Sequence, residues 1–165
     1  MIILNMTHYM ALLTNNQPWN LIIFMALPVI MAEALTISEF FIIFNKIKHG
    51  GIRTFNKIVG IFDGFYFTGI FIYLVITAAI PLTLSAGWHI WVDVVAVGFY
   101  LSGVIFLLPI ALMELGIIFK KKTLEEKMKI HFLLISGFLV VAHIAMIFGM
   151  VNPEIINKMP GMPGM

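Results

Sequence analysis

The chain contains no cysteine, and only 11% of its 165 residues are charged. The first absence excludes disulfides, thiolate metal sites and iron–sulfur clusters held by this chain alone. The second excludes an ordinary soluble domain, in which about 25% of residues carry charge. Also lacking are a glycine-rich phosphate loop, an HExxH helix, a CxxCH sequence, an internal repeat and a Ser–His–acid order. Nothing therefore points to a hydrolase or to any other enzyme, and covalent attachment of a c-type haem is excluded. What fills the chain is apolar: 61% of the residues are hydrophobic and the mean hydropathy is +1.05. That composition reads as an integral membrane protein.

Four hydrophobic runs, about 21–44, 58–82, 90–119 and 130–151, each approach or exceed the roughly 20 residues that a membrane-crossing helix needs. Lipid offers no partner to backbone polar groups, so such runs form helices, and they lack the alternation of barrel strands. The expectation is an all-α, four-helix transmembrane bundle over residues 1–151. Pro28 and Pro109 fall inside spans and predict kinks. Residues 152–165, rich in Met, Pro and Gly, predict a flexible tail.

Orientation follows from the basic residues. Lys46, Lys48, Arg53 and Lys57 surround the first loop and Lys120, Lys121, Lys122, Lys127 and Lys129 the third, whereas Thr83 to His89 contains no Lys or Arg. The positive-inside rule makes the first and third loops cytoplasmic and leaves both termini outside. Trp19, Trp88 and Trp91 fall at the outer boundary, as an aromatic belt would. The net charge of +2 is a topology signal and does not indicate a nucleic-acid partner. The uncharged first nineteen residues read as a retained segment lying along the outer surface.

The stretch MTHYMALLTNNQPWNLIIFMALPVIMAE, Met6 to Glu33, with its NQPWN and acidic first helix, resembles a family of small uncharacterised bacterial four-helix membrane proteins. The resemblance implies a multi-pass protein of a bacterial inner membrane and carries no activity across.

Ionisable groups inside the apolar runs are the candidates for function, because such groups are costly at membrane depth unless paired. Glu33, Glu39, Asp63, Glu114, His131 and His143 each interrupt a run of Leu, Ile, Phe, Val and Met. Glu39 lies seven residues from Lys46, Asp63 six from Lys57 and Glu114 six from Lys120. At 1.5 Å per residue all three reach roughly 9–11 Å inward. Three helices thus offer carboxylates at one level, with His131 of the fourth helix nearby. Metal-binding bundles arrange Glu and His ligands in this way, and Mn, Fe or Zn would suit them. The competing reading is structural: snorkelling lysines pair with the carboxylates, and the Gly60–Gly64 spacing serves helix packing.

A second cluster lies toward the outside. His89 and Asp93 are four residues apart, and His143, Met146 and Met150 follow i, i+3, i+7 spacing, with Glu33 in the layer below. Soft thioethers favour Cu(I), and Met6, His8, Met10 and the MPGMPGM ending repeat the theme. Met is also common core filler, so packing competes here too. His89 with His143 would be the axial pair for a haem b, provided the third span begins early. A quinone pocket of Tyr66, Tyr73 or Tyr100 is not separable from packing. The expected function is binding and transport of a transition-metal cation; the alternatives are a redox subunit carrying haem b or serving a quinone reaction, and a structural accessory subunit. Besides the bilayer, the expected partner is a second copy or a larger membrane complex, with Gly60 and Gly64 as a contact face.

Overall fold

Nearly uniform apolarity gives the chain long helices, because a chain in lipid must satisfy its backbone within each segment. The computed structural model describes residues 7–47, 49–85, 87–88 and 90–151. A short helix α1 (His8–Thr14) precedes four long ones: α2 (Trp19–Phe44), α3 (Gly51–Leu84), α4 (Trp91–Glu114) and α5 (Leu124–Gly149). All four are long and apolar enough to cross a membrane, and no strand occurs among the described residues. The protein is a multi-pass membrane protein built as a four-helix bundle. Extensive contacts run α2 to α3, α3 to α4, α4 to α5 and α5 back to α2, closing a ring of sequence neighbours. The connections at 45–50 and 115–123 share one end, hereafter the lysine-rich end.

The helix limits differ from the hydrophobic runs where polar residues can continue or stop a helix. α3 begins at Gly51 and takes in Arg53, Asn56 and Lys57. α4 ends at Glu114, since Gly116 (φ 75°) and Phe119 (φ 53°) turn the chain in the left-handed region. α5 begins at Leu124 because Thr123 and Glu126 form a reciprocal capping box: Thr123 accepts from the Glu126 N–H, and Glu126 accepts from the Thr123 N–H at 2.9 Å.

Pro28 illustrates how a helix break is absorbed. Without an N–H it frees a carbonyl four or five residues back, and α2 widens to a π-turn over Ile22–Ala26. The Tyr100 hydroxyl of α4 donates to the Phe24 carbonyl, and the Tyr66 hydroxyl of α3 donates to that of Ile23 at 3.0 Å. Two tyrosines thereby close the gap. A second π-turn, Val75–Ala79, precedes Pro81 in α3.

The core toward the far end is aromatic: Phe67 meets Phe138 edge-on at 5.3 Å and Tyr100 at 5.3 Å, and Tyr9 of α1 also packs on Tyr100 at 5.3 Å. α1 packs one face against the bundle. It tucks onto α2, α4 and α5, burying Tyr9 and Leu13, while the Thr7 hydroxyl donates to the Gly149 carbonyl at 2.6 Å. Burial pushes the Tyr9 phenol up from its ordinary value.

Gly60 and Gly64 are buried inside the protomer. A Cβ on Gly64 would stand 2.5 Å from the Leu107 carbonyl oxygen and 2.6 Å from the Ala111 Cβ, so α3 and α4 approach closely at this point. The GxxxG spacing serves that contact, which corrects its assignment as a face toward another protein.

Candidate functional site

One face of α3 carries Arg53, Asn56, Gly60 and Asp63 at spacings of three and four, so these residues line a single stripe turned toward the bundle. Glu39 and Ser38 of α2 and His131 of α5 meet that stripe, and Glu114 approaches from the end of α4. Glu39, Asn56, Asp63 and His131 are fully buried. His131 Nδ1 lies 3.3 Å from Glu39 Oε2, and Arg53 Nη1 lies 3.9 Å from the same oxygen. Arg53 Nη2 donates to Glu114 Oε1 at 3.1 Å. One guanidinium thus bridges two carboxylates on different helices. Asn56 Nδ2 donates to Ser38 Oγ at 2.9 Å, and Ser38 in turn donates to the Leu35 carbonyl at 3.0 Å, tying α3 to α2 beside the charges.

The network is incompletely paired. Glu39 and His131 stand at ion-pair distance but outside hydrogen-bond geometry. Among the described residues, no hydrogen-bond partner reaches either Glu39 oxygen, either Asp63 oxygen, either His131 ring nitrogen, Asn56 Oδ1 or Arg53 Nη1. Buried groups in this condition cost about 1–3 kcal/mol each, and more when charged. Gly60 makes room for the imidazole: a Cβ there would stand 3.4 Å from His131 Nε2. Asp63 sits about 4.5 Å further along α3, away from the lysine-rich end.

Of the expected inner layer, the structure therefore brings Glu39, His131 and Glu114 together through Arg53 and places Asp63 on the same stripe. It does not assemble them as a metal cage. No group of three or more His, Asp or Glu side chains is placed to hold a metal ion among the described residues. A guanidinium stands between the carboxylates where the metal reading would put the ion.

The expected outer cluster does not converge. His143 is exposed, with Nδ1 2.6 Å from the Leu139 carbonyl; since a carbonyl only accepts, that nitrogen is the donor. Met150 is 64% exposed just beyond α5, and Met146 is half-buried against the aromatic core. Glu33 is exposed on the outer face of α2. These four side chains are corrected from an inward ligand face to residues mostly on the bundle's outside. Asp93 is buried in the first turn of α4, where the helix dipole favours a carboxylate. His89, Met6 and the tail with Met159, Met162 and Met165 lie outside the described residues. His143 thus stands on an exposed face of α5, and the Tyr66 and Tyr100 hydroxyls donate to carbonyls of α2.

Sequence reasoning missed Arg53, read only as a topology signal, and Asn56 and Ser38. The legible sign was the stripe itself: 53, 56, 60, 63 and 67 repeat at three and four, the period of one helical face.

A family model described as a family of unknown function (DUF6803) matches residues 4–165. It extends over nearly the whole chain the resemblance to an uncharacterised family carried by Met6 to Glu33. Neither the curated proteins nor the solved structures contain a match.

Proposed function

The chain belongs to DUF6803, a family of unknown function, and from its buried layer we propose that the protein takes up protons inside the membrane, at a site reached from the lysine-rich end. The carrying observation is the Glu39–His131 pair, fully buried at 3.3 Å with the carboxylate oxygens free of hydrogen bonds. Of three buried or nearly buried carboxylates, Glu39 and Glu114 face the one guanidinium of Arg53, and Asp63, about 15 Å further along α3, has no cation beside it among the described residues. Ionised together with a neutral imidazole, the layer carries two excess negative charges in a medium that penalises them. A proton relieves that excess without needing a coordination shell.

Access favours one side. Arg53 and Glu114 line a cleft at the lysine-rich end, while Phe67, Phe138, Tyr100 and Tyr9 fill the bundle toward the other. Under the positive-inside rule the open side is cytoplasmic, and the resemblance read from Met6 to Glu33 favours a bacterial inner membrane. A single ring of four helices is small for a complete path, so transport would require a second copy or a partner. The transition-metal reading is the weaker one, because Arg53 already supplies the positive charge and the soft outer ligands do not converge.

The test is proton uptake by protein-containing liposomes under a potassium diffusion potential, read with an entrapped pH dye, alongside the metal content of the purified protein. The wild type should acidify or alkalinise the lumen faster than empty vesicles, and Glu39→Gln and Asp63→Asn should remove most of that rate. A metal-free protein whose flux is unchanged by both substitutions would sink the proton site. Stoichiometric bound metal lost in Glu39→Gln would restore the metal reading in its place.

A further inference from the structure

At the lysine-rich end a cleft of about 410 Å³ opens between the first two turns of α3 and the α4–α5 connection. His49, Arg53, Lys57 and Lys127 line it, with Glu114 as the acidic member. Glu114 is already paired with Arg53 Nη2 at 3.1 Å, so the cleft keeps a surplus of positive charge. Arg53 Nη1 lies 3.9 Å from the buried Glu39 Oε2, so Lys57 and Lys127 carry the cleft's remaining positive charge. The rest of the lining includes the apolar Met113, Leu115 and Leu124. Outside it, Ile58 and Ile117 are exposed on the flanking segments.

We propose that this cleft binds a phosphate group, the basic groups holding its oxygens and the apolar lining taking whatever the phosphate is esterified to. Lys and Arg donors pair with phosphate oxygens, and basic pockets at helix ends lie at the height of lipid phosphates. Apolar lining beside basic groups suits a phosphodiester joined to glycerol and acyl chains; free phosphate would use only the basic groups. The proposal goes beyond the proton site and shares Arg53 and Glu114 with it, so the test leaves both alone.

The experiment is native mass spectrometry of the purified protein in detergent, titrated separately with phosphatidylglycerol, phosphatidylcholine and inorganic phosphate. Wild type should retain phosphatidylglycerol in preference to phosphatidylcholine. Lys57→Gln should weaken that preference about fivefold, and Lys57→Gln with Lys127→Gln about 30-fold. A Lys120→Gln, Lys121→Gln control, on the same end but outside the cleft, should keep it, and retained helicity by circular dichroism checks folding. If the double variant does not fold, the single Lys57→Gln value decides. Phosphatidylglycerol preference without phosphate binding identifies a lipid source; phosphate binding without lipid preference, lost in the same variants, identifies free phosphate. Absence of both in the wild type, an unchanged preference in the variants, or equal loss in the control would overturn the site.

Discussion

His131 of α5 holds its Nδ1 3.3 Å from Oε2 of Glu39 on α2, with both side chains fully buried. The pair joins the first and last membrane-crossing helices across the interior, so its strength should register on the whole bundle. Glu39→Ala and His131→Ala are each expected to lower stability by about 1–3 kcal/mol, since each leaves the other group buried and alone. The double substitution should cost less than the two losses combined, by about 0.5–3 kcal/mol. Unfolding in a fixed detergent system measures this cycle; simple additivity would mean that the two groups do not interact.

Arg53 is expected to matter more than either. Its side chain is 16% exposed and faces two carboxylates, so Arg53→Ala leaves Glu39 and Glu114 without their shared cation, a loss of about 3–5 kcal/mol. Adding Glu114→Gln should recover part of it, because one of the stranded charges is then gone. The same unfolding assay decides, and a loss below about 1 kcal/mol for Arg53→Ala would contradict the bridge.

Tyr100→Phe should destabilise α2 from a distance. It removes the donor to the Phe24 carbonyl that Pro28 leaves free, at an expected cost of about 1–3 kcal/mol. Tyr66→Phe should cost less, because the Ile23 carbonyl lies in a more exposed position. Hydrogen exchange of the α2 amides around Ile22–Ala26 should rise in Tyr100→Phe; unchanged protection would show that the carbonyl has another partner.

Gly64→Ala is expected to cost about 1–3 kcal/mol, since its methyl would meet the Leu107 backbone. Gly60→Ala should cost less, because its nearest obstacle is the Ile110 Cγ2 methyl at 3.1 Å. If Gly64→Ala instead leaves stability unchanged and dissociates an oligomer, the GxxxG contact lies between protomers after all.

Topology has a direct check. Cysteine introduced at Lys121 should be shielded from a membrane-impermeant thiol reagent in intact cells, and cysteine at Ser85 should react. The reverse pattern would turn the protein over and place the cleft and the buried pair on the opposite side.

Much of the architecture was legible in the chain because it follows from local quantities. Run length and hydropathy set the number of helices, and the grouping of lysines at two of the three connections matches two connections sharing one end. The depth count that put Glu39 and Glu114 at one level agrees with their joint contact with Arg53, since helical rise converts sequence distance to depth directly. The start of α5 was legible as well, in the Thr123–Glu126 spacing, although hydrophobicity alone drew the boundary too late.

Rotation about each helix axis was not legible. Spacing shows that His143, Met146 and Met150 share a face, yet it does not say whether that face meets the bundle or the lipid, and in an almost uniformly apolar helix the two faces differ little in composition. Charge alone likewise could not tell Arg53 the topology signal from Arg53 the bridge. The sequence by itself determined a four-helix membrane bundle and the shared level of Glu39 and Glu114, though not that of Asp63, because length, hydropathy and rise are properties of one segment at a time. Only the tertiary structure decided that His131 meets Glu39, that Arg53 stands between two carboxylates and that Tyr100 completes α2, because each is a contact between segments set by how the helices turn and pack together.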